Sequence, residues 1–379
     1  MLMEIKKLDD ACEIEYGTRV VQEKHGGTIF PVYGGGGATF NMDVSNREDC
    51  LVIARFAMSK QCTRFIKGKF FLNDSGLTVK PKNKNELNQE YLNYQLLYLN
   101  NNIYSLSRGT AQRNLNVPKF RNLEISFPKS LSEQIQIVKI LSKAQTLIEQ
   151  RKQSIALIDE FLKSTFLEMF GEPTQNEKGW EIFSLSDVCL KITDGTHDTP
   201  ERLTEGIKYI TGKHITPFNV DFDNSDYVTE DVHKEIYRRT NVEFDDILYT
   251  NIGANVGTAA RVKVKFEFSL KNVALLKQNR NKLKSHYLEH LLNLSNFKHK
   301  LLSLLSIGGA QKFLNLKSIG KIKIPVPPIE LQTQFANIVK KTETLKDQYK
   351  NSLVELENLY GSLSQQAFKG ELEMKVQTL

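Results

Sequence analysis

No stretch of this 379-residue chain approaches eighteen consecutive apolar residues, so the sequence offers no membrane-spanning helix. The opening MLMEIKKLDD lacks the apolar core of a secretory signal, and the two absences together predict a cytoplasmic protein with no membrane partner. Cys12, Cys50, Cys62 and Cys189 make no Cys-x-x-Cys pair and no metal-ligand spacing with histidine; reduced thiols and no bound metal are expected. The run Gly34–Gly37 is not followed by Gly-Lys-Ser/Thr, which excludes a Walker-type phosphate loop. An Asn-Pro-Pro-aromatic tetrapeptide is missing, as is a glycine-rich strand-to-helix fingerprint. A methyltransferase core and a bound cofactor are therefore not expected.

What the chain does have is a statement made twice. Residues 109–134 read GTAQRNLNVPKFRNLEISFPKSLSEQ, and 308–332 read GGAQKFLNLKSIGKIKIPVPPIELQ. Each runs from Gly-x-Ala-Gln-basic through a strand-like stretch and prolines to a Gln that opens a helix. The correspondence extends outward. LDDAC (8–12) matches LSDVC (185–189), each soon followed by Gly-Thr, at Gly17-Thr18 and Gly195-Thr196. KFFLNDSGLTVKP (69–81) echoes KFEFSLKNVALLK (265–277), and EYLNYQLLYLN (90–100) echoes HYLEHLLNLSN (286–296). One unit of about 180 residues thus occurs twice, too long a period for a solenoid. Short alternating runs such as FPVYGG (30–35), KYITGKHI (208–215) and DDILYTNIG (245–253), bounded by glycine-rich turns, predict an α/β globule in each copy.

Each globule is followed by a long helical pattern, 131–170 and 329–368. In the first, Leu141, Ile148, Ile155, Leu162 and Met169 recur every seven residues beside Ala144, Ile158 and Thr165. In the second, Ile338, Leu345 and Leu359 share one heptad column and Thr342, Tyr349, Leu356 and Leu363 another; Arg151 and Ser352 interrupt the seam. The order globule, rod, globule, rod predicts an α/β (α+β) tandem pseudo-two-fold repeat, in which two long antiparallel coiled-coil-like helices separate two globules. The expected boundaries are 1–130, 131–172, 173–326 and 327–379. Residues 1–130 carry a net +5 and 173–326 a net +4, while the two helical pieces carry −1 each. Basic globules on neutral rods suit a clamp for double-stranded DNA, where phosphate neutralisation supplies most non-specific affinity.

Together, YGGGG (33–37), TDGTH (193–197), GGAQK (308–312), PVPPIELQ (325–332) and LYGSLSQQAFKGEL (359–372), in their order and doubled around two helices, make the chain resemble the specificity subunit of type I restriction–modification enzymes along essentially its whole length. The resemblance implies two target-recognition domains, each reading one half of a split DNA sequence. It also implies helices that act as a fixed spacer and bind two methyltransferase subunits, through which restriction motor-nuclease subunits join. No catalytic residue and no cofactor would reside in this chain. The competing reading is an enzyme that cuts or methylates DNA itself, with carboxylates such as Asp245 and Asp246 as candidates.

Candidate DNA contacts follow from residue chemistry and from the resemblance. Gly34, Gly35, Gly36 and Gly37 read either as a loop that lets backbone approach DNA or as a flexible turn. Arg55, Ser59, Lys60, Arg64 and Lys67 suit phosphates and guanine edges, or form a solvated face. In TNIGANVGTAAR, Asn251, Asn255 and Arg261 stand among glycines, and asparagine suits bidentate adenine readout. Family members often place an arginine with two glycines in such a loop; here ARFAMSK lacks the glycines and the second copy has Asn251 where the arginine would stand. The resemblance implies that Gln112, Arg113, Gln311 and Lys312 are carried towards DNA, the alternative being a turn that closes each domain on its helix. Thr196 and His197 approach DNA or stabilise their loop. His286-Tyr-Leu-Glu289-His290 fits a zinc-protease pattern, but its counterpart Glu90-Tyr-Leu-Asn93-Tyr94 holds no such ligands, so a chance match on a helix face is expected. Cys12 and Cys189, in matching positions, are read as small core residues.

Overall fold

The computed structural model describes residues 1–305 and 313–373. It divides into two compact units, Met1–Lys152 with Asn351–Leu379, and Gln153–Lys350. Each contains an α/β globule together with parts of both long helices.

In the first unit six strands form one sheet, in the order Cys12–Tyr16, Gly76–Pro81, Arg47–Ala54, Thr63–Leu72, Phe30–Tyr33, Ala38–Met42. All neighbours are antiparallel except Phe30–Tyr33 beside Thr63–Leu72, where Val32 faces Phe71. The alternation of Leu51, Ile53, Leu77 and Val79 turns one sheet face onto helix Gln89–Tyr98, whose Tyr91, Leu92 and Leu96 complete the core. The second unit repeats this plan in pieces. Cys189–Asp194, Val273–Gln278, Ile247–Thr250 and Ala259–Arg261 form a four-stranded antiparallel sheet; Asp226–Val228, Ile207–Thr211 and Ser269–Lys271 form a separate one. The parallel pair recurs at Ile210 and Leu270. The ten-residue strand of the first copy corresponds to two three-residue strands in the second, and this break splits the sheet.

The duplicated residues make duplicated contacts. Gln134, with no exposed surface, accepts from the Asn88 N–H at 2.7 Å and donates to the carbonyls of Glu86 (2.8 Å) and Pro128 (2.7 Å). Gln332 accepts from Lys284 N–H at 2.8 Å and donates to Lys282 (3.0 Å) and Pro327 (2.8 Å) carbonyls. Tyr91 Oη donates to the Ser126 carbonyl at 2.9 Å and Tyr287 Oη to that of Pro325 at 2.7 Å. Asn116 and Asn315 cap the short helices Val117–Arg121 and Leu316–Gly320. A side chain at Gly17 would collide with the Asn73 carbonyl, and one at Gly195 with that of Leu270, so both Gly-Thr pairs are close-approach points of the backbone.

The two long helices, Leu131–Phe170 and Ile329–Lys369, are unbroken over 40 and 41 residues. At 1.5 Å rise each is about 60 Å long. Gly171 and Gly370, both at φ +77°, terminate them, a left-handed position that glycine adopts without strain. Within the second unit the helices run antiparallel: Lys346 pairs with Asp159, while further along Phe335 packs its ring 5.4 Å from Phe166 and from Phe170. Within the first, Lys152 pairs with Glu357 at 3.1 Å. Leu141, Ile148, Leu162, Ala144, Ile158 and Thr165 are buried as their periodicity predicts. In the second helix Thr342 is buried and Tyr349, Leu356 and Leu363 of the same column are half-buried, whereas Leu345 and Leu359 of the other column are exposed. The seam is narrower than the sequence pattern. No helix among the described residues is long and apolar enough to cross a membrane.

Candidate nucleic-acid interface

In the first unit, three connections meet at one edge of the six-stranded sheet. The glycine run joins the hairpin Phe30–Tyr33/Ala38–Met42. A Cβ on Gly35 would lie 2.6 Å from the Phe56 carbonyl and one on Gly34 would strike Asn73, so these two glycines serve packing; Gly36 and Gly37 are exposed and open around their Cα atoms. Arg64 holds the run from below, its guanidinium donating to the carbonyls of Gly35 (3.1 Å) and Gly36. The segment 55–62 lies alongside. Arg55 sits over the rings of Tyr16 (5.0 Å) and Phe56 (4.6 Å) and contacts the Asp74 carbonyl at 3.5 Å. Ser59 and Lys60 are exposed at its tip, the Ser59 hydroxyl donating to the Gln61 carbonyl at 3.1 Å.

The repeated Gly-x-Ala-Gln-basic element is the tip of a two-stranded hairpin, Ser107–Arg108 with Asn114–Leu115. Gly109 (φ +106°) permits the turn, and Gln112 and Arg113 are exposed. The hairpin is tied to the neighbouring segment by Met58 N–H to the Arg113 carbonyl (2.8 Å), Leu115 N–H to that of Arg55 (2.8 Å), and Ala57 N–H to Asn114 Oδ1 (3.1 Å). Arg113 lies 5.0 Å over the Tyr104 ring. The structure therefore brings Gly36, Gly37, Arg55, Ser59, Lys60, Arg64, Gln112 and Arg113 to one edge. Lys67 stands apart, towards the far end of its strand beside the bulge where Gly68 N–H binds Asp49.

The second unit offers fewer of its predicted groups. Leu314 N–H donates to the Asn251 carbonyl at 2.8 Å, as Leu115 does to Arg55, so the same docking recurs. Gln311 and Lys312 lie outside the described residues. Asn255 is exposed and its amide reaches the Ile215 carbonyl at 3.5 Å. Asn251 is only 1 % exposed. Arg261 is 5 % exposed, its Nη2 donating to both carboxylate oxygens of Glu343 at 3.0 and 2.8 Å and its Nε 3.6 Å from Glu289. The expectation that Asn251 and Arg261 face DNA is corrected: both side chains are buried, Asn251 where it directly follows strand Ile247–Thr250 and Arg261 at the end of strand Ala259–Arg261. His197 is 59 % exposed, held between Asp194 (3.1 Å) and Asn272 (2.9 Å), and Thr196 Oγ1 accepts from Asp198 N–H at 3.1 Å. Arg239 closes on Asp194 behind them.

The residues of the zinc-protease pattern serve the core. His286 is pushed down to about 3 by burial, with Arg261 adding to the shift, and His290 to about 4 by burial. Glu289, fully buried, is raised by burial and accepts the Arg261 N–H at 2.7 Å. Asp246, the alternative catalytic carboxylate, pairs with Lys277 at 2.8 Å and accepts from Glu243 N–H, while Asp245 accepts from Ser285 Oγ at 2.6 Å. Sequence reasoning missed the rings of Tyr16 and Phe56 that carry Arg55, since nothing in their spacing signals a cross-chain stack.

Residues 2–159 and 177–358 each match the type I restriction modification DNA specificity domain. Type I restriction enzyme MjaVIII specificity subunit of Methanocaldococcus jannaschii is 23 % identical over 333 residues, covering 81 % of this chain and 77 % of that one. Among solved structures, the type I restriction-modification system S subunit from M. genitalium superimposes with a TM-score of 0.63 at 20 % identity, covering 99 % of this chain and 97 % of its own. A chain from a structure addressing complex assembly and conformational transition of the type I R-M system gives 0.55 at 17 % identity, covering 98 % of both.

Proposed function

We propose, from the premise that this chain belongs to the type I restriction–modification DNA specificity family, that it reads a bipartite double-stranded DNA target and scaffolds the enzymes that act on it. It is a specificity subunit with two target-recognition domains, which we assign to 1–130 and 173–326, with 131–172 and 327–379 as the spacer. The observation that carries the reading is the doubled edge: in each unit the segment preceding the second strand of a hairpin is hydrogen-bonded to the segment that follows the Gly-x-Ala-Gln element. In the first domain that edge exposes Gly36, Gly37, Lys60, Gln112 and Arg113. It offers backbone to a phosphate, and cationic and amide groups to phosphates or base edges. In the second, Asn255 and His197 are the exposed candidates.

Two methyltransferase subunits and, through them, motor-nuclease subunits are the partners we assign. Apolar side chains left uncovered on the long helices support a docking role: Ile135, Leu147, Val354 and Leu359 in the first unit, and Leu157, Phe161 and Leu345 in the second. The commitment of Glu289, Asp245 and Asp246 to internal hydrogen bonds and ion pairs favours a scaffold over a nuclease. The test is methylation of a random-sequence DNA library by the methyltransferase subunits with and without this chain. Methylation at one split sequence only when both are present is expected. Robust methylation by this chain alone refutes the reading.

A further inference from the structure

The loop 251–258 of the second domain ends on an unusually short strand. Ala259–Arg261 lies at the edge of its four-stranded sheet and pairs with Ile247–Thr250 at only three positions. Its counterpart in the first domain is the opening of the ten-residue strand Thr63–Leu72, whose pairing with Arg47–Ala54 runs from Thr63 to Phe70. That register holds the exit of the loop 55–62 together with Asn100, whose Oδ1 accepts from the Cys62 and Thr63 N–H groups at 3.0 Å. In the second domain the sheet breaks after Arg261, so something else must fix the exit of the loop.

A cluster of charged groups stands at that point. Arg261 Nη2 donates to both carboxylate oxygens of Glu343 on the second long helix, and Lys263 Nζ reaches the same carboxylate at 2.6 Å. From the other side helix Ser285–Asn293 supplies Glu289 to the Arg261 N–H and Asn293 Oδ1 to the Ala259 N–H at 3.1 Å. Lys263 also donates to the Phe218 carbonyl at 3.2 Å, and Phe218 (φ +65°) lays its ring 4.7 Å from His290. Phe218 forms the turn of hairpin Ile215–Thr216/Asn219–Val220, which Asn255 of the loop touches at Ile215. The position of Arg261 is taken in the first domain by Phe65, which is exposed, and that of Glu289 by Asn93. The cluster belongs to the second domain alone.

One arginine nitrogen set between both oxygens of a carboxylate, with a lysine on one of them, ties two residues of the strand's exit to a single group on the long helix. A buried ion pair contributes little net stability once desolvation is counted, and its best-attested use is to select one arrangement. We propose that Glu343 is a positioning residue for the second half-site: from the long helix, through Arg261 and Lys263, it sets the orientation of loop 251–258 and of hairpin 215–220. This rests on the proposed reading of the chain as a two-domain DNA reader. Glu343 itself touches no DNA.

The experiment uses the full chain assembled with its methyltransferase subunits and a DNA panel carrying single-base changes in each half of the recognised sequence. Gln112→Ala with Arg113→Ala marks the half read by the first domain. Glu343→Gln is expected to lower discrimination in the other half by about fivefold, a typical size for a residue that acts through others, and to leave the first half within about twofold. Lys263→Gln, at a partly exposed position, tests the same arm if Glu343→Gln does not fold, and Lys263→Arg should restore discrimination. Wild-type discrimination in both halves by folded Glu343→Gln or Lys263→Gln overturns the proposal, as does equal loss in both halves. A wild-type complex that ignores both halves overturns the two-domain reading, and the positioning role of Glu343 with it.

Discussion

Replacing Gln134 by alanine should damage the first unit in a predictable place and by a predictable amount. The side chain is wholly buried and closes three hydrogen bonds, from Asn88 N–H and to the Glu86 and Pro128 carbonyls. It ties the start of the long helix to the loop before helix Gln89–Tyr98 and to the end of strand Glu124–Pro128. Alanine leaves one buried N–H and two buried carbonyls without partners. At about 1 kcal/mol for each lost bond, and up to 3 for a group that stays dry, the expected loss is roughly 3 kcal/mol. The same change at Gln332 should cost as much in the second unit, since its three distances are nearly the same.

Hydrogen exchange read by mass spectrometry separates the two cases. A loss of about 3 kcal/mol corresponds to faster exchange by roughly a hundredfold. It should fall on segments around Asn88 and Pro128 in Gln134→Ala, and around Lys284 and Pro327 in Gln332→Ala. Gln136→Ala, at an exposed position one residue beyond Ile135, is the control and should stay within about 0.5 kcal/mol of wild type. A loss below about 1 kcal/mol at both glutamines, or acceleration spread evenly over both units, would refute the argument that these residues are the joints of the duplicated fold.

The second unit should be the acid-sensitive one. His286 and His290 are held neutral, near 3 and 4, against about 6.5 unfolded; the unfolded chain therefore binds more protons, and the stability present above pH 6.5 falls with pH down to the folded values. Between pH 7 and 5 the loss is up to about 2 kcal/mol per ring, measurable by denaturant titration, and a pH-independent second unit would contradict the burial of these rings. The spacer is tested by inserting one heptad after Ser154 and one after Ser352, which keeps the apolar period. Each adds about 10.5 Å of helix, near three base pairs, so methylome sequencing should find the same half-sites with a longer gap, or no methylation; unchanged methylation of the original spacing refutes the ruler.

Much of the fold was legible because duplication prints it twice. Gly17 and Gly195, and Gln134 and Gln332, stood out in the sequence by their matching positions, and each pair makes matching contacts; the structure adds the matching caps Asn116 and Asn315. The helix seam was legible where the heptad residues were large and regular, as at Leu141, Ile148 and Leu162. It misled at Leu345 and Leu359, because periodicity reports a face and not what covers it. The interface was less legible. Residue type identified Arg261 as a DNA contact, but a strand alternates its faces. One position decides between a groove and a core, and that register is set by Ile247–Thr250 rather than by anything local to Arg261.

The pattern of agreement between the copies also bears on how two readers differ. What matches is the framework beneath the edge: glutamine joints, tyrosine hydroxyls on strand ends, glycine close-approach points and helix-ending glycines. What differs is the edge and its supports. The first domain steadies its loops with a long strand and an arginine stacked on Tyr16 and Phe56; the second breaks that strand and uses Arg261, Lys263 and Glu343 instead. A framework fixed by buried hydrogen bonds leaves the edge free to vary, because exposed loops carry little of the folding free energy. An edge loop can therefore change its side chains, and with them the bases it fits, without cost to the unit that carries it. A change in the supports is different: it alters aim before it alters chemistry. Substitutions at Gln112 or Arg113 should thus alter which bases are preferred, whereas substitutions at Glu343 should blur preference without replacing it.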